Sequence, residues 1–302
     1  MGPRQFFFTP TYICDEECLM CGVPLATRID GATFSRPVWQ AEIDRMRLRS
    51  EDILTLSGGE PLVAPDLREL IQYAVQNYGC RVSILSNGRR LRNPAFADSL
   101  VGIGITKFVI PIFSHRPEVH EAITQRPRSF EHTWAGLRNL HARGLKFHVK
   151  FIATKLNHVD ARETYVRCKQ EFPDCRFVFS GLTIFGEAVT NASAVSVRYA
   201  DVAPSLDLLL AEAESRGDLV PVFIYPLCHV DPVFWHHYNV AKFEEVVVAP
   251  DRRDSSDGRT LAEGPKPSAC GPCLIRTRCV FAWKPAYHDL YGDSEFKPVL
   301  LQ

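Results

Sequence analysis

What this sequence lacks narrows its function before any motif is read. It has no surplus of charge: 35 Lys and Arg balance 35 Asp and Glu, so the formal net charge is zero. No long-range field then draws in nucleic acid or an anionic membrane surface, and neither is an expected partner. It lacks a membrane-spanning run as well. The longest apolar stretch, "LVPVFIYPLC" (219–228), is about half of the roughly 20 residues a span requires. The opening "MGPRQFFFTPTYIC" is too short and too aromatic for a signal peptide, with no small-residue cleavage site. A cytoplasmic location is therefore expected. No internal repeat is visible. Cysteines number ten in 302 residues, yet they are clustered. In a chain of this size clustered thiols point to metal binding or redox chemistry, since disulfide scaffolds are usually short and loop-rich.

What is present is a regular alternation of strand and helix signals. "QFFFTPTYI", "DILTLSGGEP", "RVSILSNG", "KFVIPIFS", "KFHVKFIATKLN" and "CRFVFSGLTIFG" read as strands. "PVWQAEIDRMRLR", "PDLRELIQYAVQNYG", "NPAFADSLVG", "SFEHTWAGLRNLHARG" and "VDARETYVRCKQEF" separate them with helical spacing. Short, almost continuously apolar strands interleaved with helices predict parallel strands covered on both faces. The expected fold is α/β: a partial (β/α)6 barrel over residues 1–190, followed by a small cysteine-rich domain over 191–302. In that second part "VRYADVAPSLDLLLAEAESRG" reads as a long helix, "LVPVFIYPLC" as a strand and "APDRRDSSDGRTLAEGPKP" as a polar loop. In such sheets the ligand site lies at the C-terminal strand ends. Cys14–Cys21, Gly58–Glu60, Ser86–Asn87, Ser114 and Asn157 all fall there.

"CDEECLMC" carries Cys14, Cys18 and Cys21 as C-x3-C-x2-C. Thiolates are soft ligands that select zinc, copper(I) or iron–sulfur clusters. Structural zinc needs four ligands, and no fourth cysteine or histidine lies close by; the nearest histidine is His115. A four-iron cluster held by three cysteines leaves one iron open to an exchangeable ligand. In "SGGEP", Gly58 and Gly59 permit close backbone approach to a ligand, and Glu60 offers a carboxylate to an ammonium group.

These motifs, in this order, resemble the radical S-adenosylmethionine enzymes. The resemblance implies that Cys14, Cys18 and Cys21 bind a [4Fe–4S] cluster whose fourth iron chelates S-adenosylmethionine. One electron then cleaves the cofactor to a 5′-deoxyadenosyl radical that abstracts a substrate hydrogen. It further implies cofactor contacts from Gly58, Gly59, Glu60 and Pro61, and from Ser86 and Asn87 after the third strand. By the same resemblance Ser114 and Arg126 belong to the fourth-strand segment, Asn157 follows the fifth strand, and Gly186 lies in a Gly-x-Ala turn bordering adenine. Met20 stands where the family usually has an aromatic residue, and its thioether is suited to pack on adenine. His115 stands where an acidic residue commonly follows the serine; His115 and His120 are read as polar rim residues.

A second set, "CGPCLIRTRC", gives C-x2-C-x5-C at Cys270, Cys273 and Cys279. It resembles the family's SPASM and twitch extensions, which carry an auxiliary cluster, but Trp283 stands at the expected fourth cysteine. Cys228 is the candidate to complete the site, which would hold a [4Fe–4S] cluster or zinc. Cys80, Cys168 and Cys175 read as buried free thiols. The expected activity is oxidative modification or crosslinking of a ribosomally made peptide, supported by an external one-electron reductant such as a flavodoxin or ferredoxin. Only 13 residues precede Cys14, so no peptide-recognition domain is expected ahead of it, which keeps dehydrogenation of a small molecule open. A non-catalytic iron–sulfur or zinc protein on the same scaffold is the alternative from another class.

Overall fold

The computed structural model describes residues 3–238, 244–249, 252–255, 266–279 and 285–300. Nine strands run through it: β1 Arg4–Phe8, β2 Ile53–Leu56, β3 Arg81–Leu85, β4 Ile105–Pro111, β5 Phe147–Ile152, β6 Arg176–Ser180, β7 Val222–Phe223, β8 Glu244–Ala249 and β9 Arg252–Ser255. They form one sheet in the order β7-β6-β5-β4-β3-β2-β1-β8-β9. β1 to β8 are parallel and β9 is antiparallel to β8. The first six strands are the expected units of a partial barrel, laid side by side in chain order.

Side-chain alternation gives the sheet two unlike faces. Phe6, Phe8, Leu54, Leu56, Val82, Ile84, Phe108, Ile110, Val149, Phe151, Phe177 and Phe179 are each no more than 3% exposed and form the core under the helices. Burial of each contributes about 1.5–3 kcal/mol before entropy is set against it. The alternate residues mix polar side chains, Gln5, Thr55, Ser83, Lys107, His148, Lys150 and Ser180, with apolar ones such as Phe7, Val109, Ile152 and Val178. This mixed face forms the inner wall of the partial barrel, with Thr55, Ser83 and Ser180 buried on it.

Beyond residue 190 the structure departs from the expected elements. The helix Tyr199–Ser215 is present, but β7 is only Val222–Phe223 and the chain then tightens into the 3-10 turn Leu227–His229. Pro221 and Pro226 flank this stretch and lack the N–H groups a longer ladder needs. The expected polar loop contributes β9, while residues 256–265 of it lie outside the described residues. β7 extends one edge of the sheet and β8–β9 the other, so the segment after 190 adds strands on both sides of the first six. Among the described residues no helix is long and apolar enough to cross a membrane.

Candidate active site

The loop after β1 carries Cys14, Cys18 and Cys21, and the loop after β2 crosses directly beneath it. Gly59 N donates to Thr11 O at 3.1 Å and Glu60 N to Ile13 O at 2.8 Å. A Cβ on Gly59 would sit 2.3 Å from Tyr12 O, and one on Gly58, whose φ is +110°, would sit 2.1 Å from the Thr9 side chain. The close approach Gly59 permits is therefore to the cysteine loop's own backbone, and that of Gly58 is to the Thr9 side chain at the end of β1. The far side of the loop is held in the same way. Glu17 N and Leu19 N donate to Thr124 O and Ile123 O, and Glu187 N donates to Cys21 O at 2.8 Å. Gly186, at φ +59°, lets that turn approach, since a Cβ there would lie 2.7 Å from Cys21 O.

The Glu60 carboxylate is enclosed between the ends of β2 and β3. It is 1% exposed and accepts from Ser86 Oγ at 2.7 Å, Asn87 N at 2.7 Å and Leu62 N at 2.9 Å. Burial pushes its pKa up to about 7 against those hydrogen bonds, which pull it down. Its place is a buried post joining the ends of β2 and β3, with Pro61 opening the following 3-10 turn Pro61–Val63. Asn87 reaches from the end of β3 to the cysteine loop, donating to Asp15 Oδ1 at 2.7 Å.

Two arginines that the motif reading did not single out complete the cradle. Arg89, 5% exposed, donates to Asp15 O at 2.7 Å and Oδ2 at 2.6 Å, and lies 3.8 Å from Glu16. Arg28, 6% exposed, donates to Glu16 O at 2.7 Å. The available signal for Arg89 was its position in "SNGRR" directly after a strand end. Burial, then Asp15, drive the Glu16 pKa up to about 8, with Arg89 opposing. Burial likewise pushes the Cys14 thiol up to about 12 and raises Cys18 and Cys21. Three thiols in such a pocket become thiolates only when a cation neutralises them. Glu16 Oε1 and Arg89 Nε are buried without a hydrogen bond.

The remaining expected residues divide between rim and interior. Met20 is buried beside the loop, at 8% exposure. Ser114 is fully buried, donating to Asp160 Oδ2 at 2.6 Å, and Asp160 is ion-paired with Arg116 at 3.0 Å. Asn157 accepts from Thr154 N and Oγ1 and donates to Phe113 O at 2.7 Å and Ile152 O at 3.0 Å. Both side chains are thus engaged in tying the end of β4 to the end of β5. Arg126 is exposed between the helices Pro117–Thr124 and Ser129–Ala142, with no carboxylate partner among the described residues. His120 is not a rim residue: it is 1% exposed, accepts from Phe113 N at 3.2 Å, and has its pKa lowered by burial to about 3. His115 is half-buried.

Cys228, Cys270, Cys273 and Cys279 line one small cavity together with Lys266, Arg276 and Lys297. Cys279 Sγ accepts from Leu227 N at 3.3 Å, and burial pushes its thiol up to about 12. Trp283 lies outside the described residues. Among the described residues no three thiols bring their sulfurs within 4.8 Å of one another. One tetrahedral zinc with zinc–sulfur bonds of about 2.3 Å would hold them about 3.8 Å apart. Cys80, Cys168 and Cys175 are buried free thiols.

A parallel α/β sheet with a three-thiol loop over its strand ends defines a class of cofactor-dependent barrel proteins. The chain belongs to the radical SAM superfamily, whose family model matches residues 8–165. It is 27% identical over 169 residues to the AdoMet-dependent heme synthase of Methanosarcina barkeri, covering 56% of this chain and 48% of the relative. It is 25% identical over 222 residues to the PqqA peptide cyclase of Ruegeria pomeroyi, covering 73% and 59%. In fold it is similar to SuiB of Streptococcus suis bound to its precursor peptide SuiA, with TM-score 0.62, 16% identity, and coverage of 82% and 58%. The chain spans about half the length of the curated relatives it matches first.

Proposed function

We propose that the protein is a radical S-adenosylmethionine enzyme that oxidatively modifies a peptide. The observation that carries this reading is the cysteine loop itself. Its three half-buried thiols sit on a loop clamped by Arg28 from the helix Leu25–Asp30, by Asn87 and Arg89 after β3, and by the Gly186 turn after β6. When bound, the cluster and S-adenosylmethionine supply a one-electron cleavage that starts hydrogen abstraction. Cys14, Cys18 and Cys21 would hold that cluster, and the chain's own contribution is positional. Glu60, Ser86 and Asn87 fix the loop floor, and three cysteines leave one iron of a four-iron cluster open to an exchangeable ligand.

The second cavity is read as one auxiliary [4Fe–4S] site with Cys228 as fourth ligand. The cationic lining of Lys266, Arg276 and Lys297 would offset the negative charge of a cluster held by four thiolates. Such a centre can accept the electron left on an oxidised substrate. A peptide is favoured because the match to the peptide cyclase takes in 73% of this chain, against 56% for the heme synthase. On the inner wall, Lys150 is in register with Pro111 and Val178. Burial lowers its pKa, and among the described residues it has no ion-pair partner. An ammonium without a partner on the barrel wall suits a substrate carboxylate, such as an acidic side chain of a peptide.

The test is anaerobic incubation of the reconstituted protein with dithionite and S-adenosylmethionine. The expected result is 5′-deoxyadenosine from the wild type and none from Cys18→Ala. Absence of 5′-deoxyadenosine from fully loaded wild type rejects the enzyme reading. Acidic peptides should then give products lighter by two hydrogens, whereas turnover of a porphyrin and no peptide would favour the small-molecule reading.

A further inference from the structure

Away from both cysteine sets, three ligating side chains converge at the outer edge of the sheet beside β7. Glu214, on the last turn of the helix Tyr199–Ser215, faces His236 and His237 from the 3-10 helix Pro232–His237. Glu214 Oε1 lies 2.5 Å from His236 Nε2 and 2.8 Å from His237 Nε2. The two rings are neighbours, with centroids 4.5 Å apart. His237 is fully buried at its side chain, while His236 and Glu214 are 53% and 45% exposed, so the cluster opens to solvent on one side.

The hydrogen bonds decide what this cluster can hold. His236 Nδ1 lies 3.1 Å from Val233 O, an acceptor only, so that nitrogen carries the proton. With Nδ1–H committed to that carbonyl, the 2.5 Å contact between His236 Nε2 and the Glu214 carboxylate needs a cation between them, either a second proton or a metal ion. His237 Nδ1 faces both groups of one residue, Val220 N at 3.0 Å and Val220 O at 3.1 Å. Its ring can therefore exchange tautomers without losing a hydrogen bond, freeing Nε2 as a ligand with Nδ1–H held by a backbone carbonyl. Histidines bound to metals are typically oriented by that same kind of second hydrogen bond.

We infer that Glu214, His236 and His237 form a site for a divalent transition-metal ion, zinc foremost, independent of both cysteine sets. Two imidazoles and one carboxylate are a donor set that zinc accepts with a fourth, solvent-filled position. Zinc also stands above ferrous iron in affinity for such ligands. Tetrahedral bonds of about 2.0–2.2 Å need ligand atoms about 3.3 Å apart, so Glu214 must retreat by less than about 1 Å. Its half-exposed position on a terminal helical turn leaves room for this. The ion would pin the segment after β7 to the long helix that precedes it.

The experiment uses the full chain with its iron–sulfur sites reconstituted, washed with chelator, supplied with zinc sulfate and desalted. Wild type should retain one more zinc per chain than Glu214→Gln or His236→Ala, with equal iron and equal S-adenosylmethionine cleavage in all three. Its thermal midpoint should rise by about 5 °C with zinc at a hundredfold excess over Kd, and those of the variants should not. Zinc-edge X-ray absorption should show only a nitrogen–oxygen shell near about 2.0 Å. Equal zinc retention in wild type and Glu214→Gln, a sulfur shell near about 2.3 Å, or a midpoint indifferent to zinc would each overturn the inference.

Discussion

At the scale of single residues, the cysteines act through the groups that hold them. Arg89 is the strongest case, because its guanidinium grips both the main chain and the side chain of Asp15 between the first two cysteines. Arg89→Met should lower iron retention at the three-cysteine site and 5′-deoxyadenosine formation by about 10–100-fold, the usual effect of losing an outer-shell partner. Iron analysis alongside circular dichroism checks this, since the fold should survive. His120 carries a prediction of a different kind. Its pKa is held down to about 3, below the usual histidine value of 6.5, because burial disfavours the imidazolium. The native state thus binds fewer protons than the unfolded chain between those values, and stability falls as pH drops from 6.5 toward 3. His120→Leu leaves Phe113 N–H unpaired, costing about 1–3 kcal/mol at pH 7. Wild type and variant should converge in denaturant melts as the pH is lowered to about 4; parallel curves would refute this account. From sequence, the cysteines were legible because their spacing is chemistry. Arg89 and Asp160 were not, because their partners Asp15 and Ser114 lie tens of residues away, and the burial of His120 was not, because it depends on how its helix packs.

At the scale of elements, the crossing of the loops after β1 and β2 is the most demanding packing in the site. Gly59→Ala would place a methyl 2.3 Å from Tyr12 O, so the cysteine loop must move. The expected outcome is loss of iron from the first site with the second retained, read by iron analysis and electron paramagnetic resonance. Gly217→Ala is the control: φ is +70° with nothing within 4 Å of the added methyl, so only the local backbone cost of about 1 kcal/mol applies. The strands β1 to β6 were legible because each carries alternate large apolar residues, such as Phe6 and Phe8 or Phe177 and Phe179, that the helices bury. β7 was overread, since its apolar residues are buried by turns and not by a long ladder.

At the scale of the whole molecule, two thiol sets stand on one scaffold and can be separated by mutation. A Cys14/Cys18/Cys21 triple alanine variant should keep about four irons in the second cavity, and Cys228→Ala should lose them while leaving the first site loaded. Zinc in place of iron in the triple variant would overturn the auxiliary-cluster reading. Lys150→Met should raise KM for an acidic peptide by about tenfold with kcat little changed, the pattern of lost ground-state binding. By itself the sequence determined the ligand chemistry, the order of parallel strands and the rim on which the site lies, because these follow from residue type and local period. Only the tertiary structure decided which partners surround each thiol, that Glu60 and Asn157 face inward, and that Cys228 joins Cys270, Cys273 and Cys279 around one cavity. Those outcomes depend on contacts between distant segments, whose geometry no local pattern encodes.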